Sequence, residues 1–95
     1  MASIGVLTLE LRLDYSHSLK DKRHVVQSLK ERLRHKHNVA VAEIDFQDLW
    51  QRALLAAVTV SSDRGHAALV LAAAEKEAVA LLGAALVSAT VEWLE

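Results

Sequence analysis

The chain contains no cysteine, which removes disulfide frameworks, thiol nucleophiles, zinc–thiolate sites and iron–sulfur clusters together. A reducing cytosol is the compartment such a composition fits. Aromatics are nearly as scarce, with one Phe, one Tyr and two Trp. Stacking platforms for single-stranded RNA are therefore few, and any nucleic-acid contact is expected with the backbone or with duplex shape. The glycines Gly5, Gly65 and Gly83 are too scattered for a phosphate loop. The longest uncharged stretch, Ala78 to Val91, spans 14 residues, short of the roughly 20 that cross a bilayer as a helix. The opening Met1-Ala2-Ser3-Ile4-Gly5 lacks the features of a secretory signal, so export is not expected. The closing Leu94-Glu95 carries no argument, because that dipeptide also begins cloning-derived tags.

What is present is apolar side chain, 53% of the residues, enough for one core in a single domain over residues 1–95 without metal or disulfide support. The net charge of −1 conceals a segregation. Between His17 and His37 lie seven basic residues (Lys20, Lys22, Arg23, Lys30, Arg32, Arg34 and Lys36) against Asp21 and Glu31, a local charge of +5. The remaining segments hold four basic residues against ten acids, or −6. Such polarity steers a polyanion even when total charge is near zero.

Leu7, Leu9, Leu11 and Leu13 alternate with Val6, Thr8, Glu10 and Arg12, the period of a strand with one leucine face. Ser16 or Ser18 can cap a helix running to about Arg34 or His35, with Leu19, Val25, Val26, Leu29, Leu33 and the stem of Lys22 on its apolar side. Val39 to Ile44 reads as a second strand. Ala53 to Ser61 reads as a central strand with both faces largely covered. No Asn-Gly or Asp-Gly marks the turn between them, so a longer loop or bulge is expected. Ser61-Ser62-Asp63 offers caps for a second helix from about Arg64 to Leu82, ended by Gly83. Its packing face is Ala67, Val70, Leu71, Ala74, Ala78, Leu81 and Leu82. A last strand, Ala85 to Leu94, places Val87, Ala89, Val91 and Trp93 on one side.

The order β-α-β-β-α-β predicts a ferredoxin-like α+β fold, a four-stranded antiparallel sheet with two helices on one face. The other face would expose residues such as Val6, Ala56 and Val58, an apolar patch that predicts a homodimer.

Two stretches are candidate sites. Lys20, Lys22, Arg23, Lys30 and Arg34 form a stripe suited to phosphates. Lys20, Lys22 and Arg23 stand where the helix dipole disfavours cations, which favours a functional role over simple solvation. The second stretch collects Glu43, Asp45, Gln47, Asp48, Trp50 and Arg52. Alternation puts Glu43, Asp45 and Gln47 on one side if the strand continues through them. Carboxylates alone are a weak metal signal, so the preferred reading is a polar hairpin end, with Trp50 packed on the core or a dimer mate and Arg52 paired to an acid. The histidines show no metal spacing, and no catalytic constellation is found. No cofactor is expected.

Ser18-Leu19-Lys20-Asp21-Lys22-Arg23, followed by Val26 and Ser28-Leu29-Lys30, and Val41-Ala42-Glu43 with Asp45 and Gln47-Asp48-Leu49-Trp50-Gln51-Arg52-Ala53, together with Gly5-Val6-Leu7, resemble the YlxP-like family of small bacterial proteins of unknown function. The likeness extends to about Ala67. It implies a ferredoxin-like fold, a bacterial cytosolic setting and, through neighbouring genes, a role on the small ribosomal subunit or its RNA. The leading expectation is a non-enzymatic RNA- or ribosome-associated factor. A homo-oligomeric protein-interaction module with no nucleic-acid role is the alternative, and an enzyme with a metal on Asp45 and Asp48 ranks third.

Overall fold

The alternating leucines of the first strand decide the layer arrangement. In the computed structural model, which describes residues 1–94, β1 (Ser3–Arg12) turns Gly5, Leu7, Leu9 and Leu11 inward, each buried, while Ile4, Val6, Thr8 and Glu10 face the other way. Full burial of a leucine contributes about 1.5–3 kcal/mol. β1 pairs antiparallel with β3 (Arg52–Ser61) along its whole length, from Ser3 opposite Ser61 to Arg12 opposite Arg52. β2 (Ala40–Asp45) borders β3, and β4 (Leu86–Leu94) borders β1, giving the order β2-β3-β1-β4.

Both helices cover the leucine face. α1 (Leu19–Lys36) is capped by Ser18, whose hydroxyl accepts from the Asp21 N–H at 3.1 Å, and buries Lys22, Val26, Leu29 and Leu33. α2 (Arg64–Leu82) is capped by Asp63, which accepts from the Gly65 N–H at 2.9 Å. Its buried Ala67, Leu71, Ala74 and Ala78 let it lie close to the sheet. Gly5 marks the tightest approach: a Cβ there would lie 2.6 Å from Leu71 Cδ1 and 2.8 Å from Trp93 Cζ3. Gly83 ends α2 at φ +55°, ψ −127°, a conformation open to glycine alone, and begins a single 3₁₀ turn into β4. The ferredoxin-like order and the one-sided helix layer match the sequence-based expectation.

Two expectations are corrected. β3 is interior in the sheet, but only one of its faces is covered by helices: Ala53, Leu55, Ala57 and Thr59 are buried, Leu54, Ala56 and Val58 half-buried, and Val60 is exposed. Near-continuous hydrophobicity here reflects an open apolar face. In β4, Val87 does not share the inward side with Ala89, Val91 and Trp93. The register shifts between Glu10, opposite Ser88, and Leu11, opposite Leu86, so Val87 is the extra residue of a bulge and points to solvent. Glu95 lies outside the described residues.

Candidate functional site

The seven cations of α1 divide into three groups. Arg32 and Lys36 reach Glu77 of α2, each at 3.5 Å, beside His37 Nε2 at 3.7 Å, so they tie the helices together. Lys22 is buried. Lys20, Arg23, Lys30 and Arg34 make no ion pair among the described residues. At 100° per residue they fall on the flank of α1 away from α2, with Gln27 between them. The two acids of the helix are otherwise engaged: Asp21 accepts from the His17 N–H and Glu31 from the Gln27 amide, both at 3.0 Å.

Lys22 occupies an apolar position of the helix, four residues before Val26, and is 1% exposed. Its ammonium donates to the carbonyls of Phe46 at 2.7 Å, Gln47 at 3.1 Å and Arg52 at 3.3 Å. Glu43 Oε2 lies 3.0 Å from Nζ. That oxygen is buried and has no hydrogen bond of proper geometry, so its contact with the ammonium is an ion pair. Glu43 therefore balances the charge and the carbonyls satisfy the donors, the two conditions that make a buried cation tolerable. The β2–β3 loop (46–51) is folded around this one amine.

The loop shows the strain of that arrangement. Phe46 adopts φ +64°, the left-handed region that non-glycine residues rarely enter. Its N–H is bonded to Asp45 Oδ1 at 2.7 Å, and its carbonyl accepts from both Lys22 and the Leu49 N–H. Arg52 stacks 4.0 Å above the Phe46 ring and pairs with Glu10 at 3.0 Å. Gln51 joins this loop to the β1–α1 loop: its side-chain amide donates to the carbonyls of Asp14 and Ser16, each at 3.2 Å, and its own carbonyl accepts from the Leu13 N–H at 2.9 Å. Beside the junction lies a cleft of about 700 Å³, lined by Arg12, Asp14, Asp48, Leu49, Trp50, Gln51 and Arg52.

The structure thus rearranges the two candidate sites. Lys22 leaves the phosphate-binding stripe, because a buried ammonium with four oxygen neighbours cannot reach an external anion. It joins Glu43 of the second site instead. Glu43 and Asp45 do not share a side: the register shifts between them, placing Glu43 inward opposite Leu55 and Asp45 outward opposite Leu54. The strand ends at Asp45, so Gln47 does not continue the alternation; its amide turns back to the Glu43 carbonyl at 3.5 Å. No group of three or more His, Cys, Asp or Glu side chains placed to hold a metal ion occurs among the described residues. Trp50 is not packed on the core but is 54% exposed. Arg52 pairs with Glu10, as expected of it. Gln51 was missed as an organising residue; only the Gln-Arg within the family-like stretch marked it. No described helix is long and apolar enough to cross a membrane.

Residues 4–91 match the model of a family described as a protein of unknown function, DUF503, and the chain belongs to that family. It is 39% identical over 61 residues to the uncharacterized protein YlxP of Bacillus subtilis (strain 168); the alignment covers 64% of this chain and 66% of that protein. The stretches that carry the sequence resemblance, Ser18 to Arg23 and Val41 to Ala53, are the ones that meet at Lys22.

Proposed function

We propose that this protein is a non-enzymatic binding factor that holds RNA on the outer flank of α1. The observation that carries the reading is the division of cations on that helix. Those facing the interior or α2 are matched to oxygen acceptors, whereas Lys20, Arg23, Lys30 and Arg34 form one stripe with no ion pair among the described residues while both helix acids are engaged elsewhere. A surface shaped only for solubility intersperses both signs. A segregated stripe on an acidic remainder favours a polyanion approaching from one side. RNA of the small ribosomal subunit is the first target to test. Binding to it that weakens steeply with added salt is the expected result; no association at low salt contradicts the proposal.

The open sheet face supplies the second part of the proposal, a homodimer. Val6, Leu54, Ala56 and Val58 lie half-buried side by side, with Val60 exposed beside them. Contiguous apolar surface of this kind is usually covered by a partner. Size-exclusion chromatography with light scattering at micromolar concentration should give twice the chain mass, and Val58→Lys should halve it. A monomeric parent protein contradicts this part and leaves the α1 reading untouched.

A further inference from the structure

Tyr15 and Trp50, two of the four aromatic residues, are 60% and 54% exposed on neighbouring loops at one end of the sheet. Exposed rings on loops are unremarkable when the loops are slack. Here the loops are bound to each other through Gln51 and to the first turn of α1 through Lys22. Both cations of the cleft that Trp50 helps to line are paired: Arg12 Nε lies 3.9 Å from Asp14 Oδ1, and Arg52 pairs with Glu10 at 3.0 Å. With Asp48 also on its wall, the cleft does not favour a phosphate. It offers an indole face, aliphatic surface and carboxylate acceptors. The unpaired cations Lys20 and Arg23 stand on the first turns of α1, the part of the helix that Lys22 anchors to the same loop.

We infer that this end of the molecule takes unpaired bases of single-stranded RNA. The uncharged part of the nucleotide enters the cleft: a base stacks on Trp50, and its exocyclic amino group donates to Asp14 or Asp48, the contact by which carboxylates recognise amino-bearing bases. A neighbouring base meets Tyr15. The phosphates, offered no unpaired cation in the cleft, follow Lys20 and Arg23 onto the α1 stripe. This rests on the reading that α1 holds RNA, and it replaces duplex or backbone-only contact with base stacking on a preformed platform. The scarcity of aromatics in the sequence does not prevent it, because two of the four rings are exposed on loops that Gln51 and Lys22 tie to each other and to the start of α1.

The test compares three probes by fluorescence anisotropy: a mixed-sequence single strand of RNA of about 12 nucleotides, a length within the range of small single-strand sites, its duplex with the complement, and heparin as a base-free polyanion. Preferential binding of the single strand is expected. Trp50→Ala should weaken it about tenfold, in line with loss of one base stack, without changing heparin or duplex binding. Trp50→Phe should restore most of the affinity, and single-strand binding should quench the parent protein's indole emission but not that of Trp50→Ala. Equal affinity for strand and duplex with a silent Trp50→Ala overturns the inference while the α1 reading stands, as does a loss shared equally by all three probes. Heparin and RNA binding that ignore removal of Lys20, Arg23, Lys30 and Arg34 overturn the α1 reading and this inference with it. Indole emission that changes with protein concentration alone assigns the cleft to a second copy and also overturns it.

Discussion

Lys22 Nζ lies 3.0 Å from Glu43 Oε2, and around that pair the β2–β3 loop closes with the carbonyls of Phe46 and Gln47, joined by that of Arg52 at the start of β3, on the same ammonium. The contact joins the start of α1 to the end of β2 and fixes the loop that presents Trp50. Lys22→Met removes the cation and leaves Glu43 buried without its counter-charge. A loss of about 3–5 kcal/mol in urea unfolding is expected. Lys22→Arg should not restore stability, because a planar guanidinium does not fit acceptors arranged for a compact ammonium. Stability unchanged within about 0.5 kcal/mol in Lys22→Met, the scatter of ordinary surface substitutions, contradicts the role given to the pair.

Gln51 makes a separate prediction. Gln51→Ala removes two hydrogen bonds between loops, a loss of about 1–2 kcal/mol. Amide exchange should quicken in both the β1–α1 and β2–β3 loops while the β1–β3 ladder stays protected. Faster exchange confined to residue 51 and its neighbours would show that the loops are held independently.

The close approach of α2 to the sheet can be tested at Gly5. A methyl group there must displace Leu71 and the Trp93 ring, both within 2.8 Å of it. Gly5→Ala should be destabilising by about 1–3 kcal/mol, the usual effect of overpacking, with a shift in Trp93 emission. A neutral or stabilising effect would show that this packing yields easily.

These residues also mark how far the sequence could be read. The strands, the helix starts and the element order were legible because Leu7, Leu9 and Leu11 alternate, because Ser16 or Ser18 and Ser61 to Asp63 stand before apolar helical repeats, and because Gly83 follows one; the structure selects Ser18 and Asp63 as the caps. The bulge at Val87 was not, since nothing in a run of small and β-branched residues says which one is skipped. Phe46 carried no turn signal, because its left-handed backbone is imposed by its neighbours and not by its own preference.

The site was half legible. The charge pattern located the basic helix, but a lysine on an apolar helical stripe has the same periodicity whether its stem lies along the surface or its ammonium is buried. What decides the fate of Lys22 is a set of backbone carbonyls 24, 25 and 30 residues away, and backbone carbonyls have no sequence signature. The family-like stretches were recognisable as strings; their meeting at one amine is a property of the fold.

The division of α1 cations into paired and free is the centre of the account, and it is tested most directly by comparing two charge-removal variants in one salt titration of RNA binding. Lys20, Arg23, Lys30 and Arg34 are changed to Gln in one variant, and Arg32 and Lys36 in the other. The first should fold with near-normal stability and lose most of the affinity, its log–log salt slope falling by about 3, as expected for four phosphate contacts on a single strand. The second should lose helix–helix stability but keep the parent slope. Equal slopes for both variants, or a larger loss from Arg32 and Lys36, would contradict the claim that the free stripe is the RNA-binding surface.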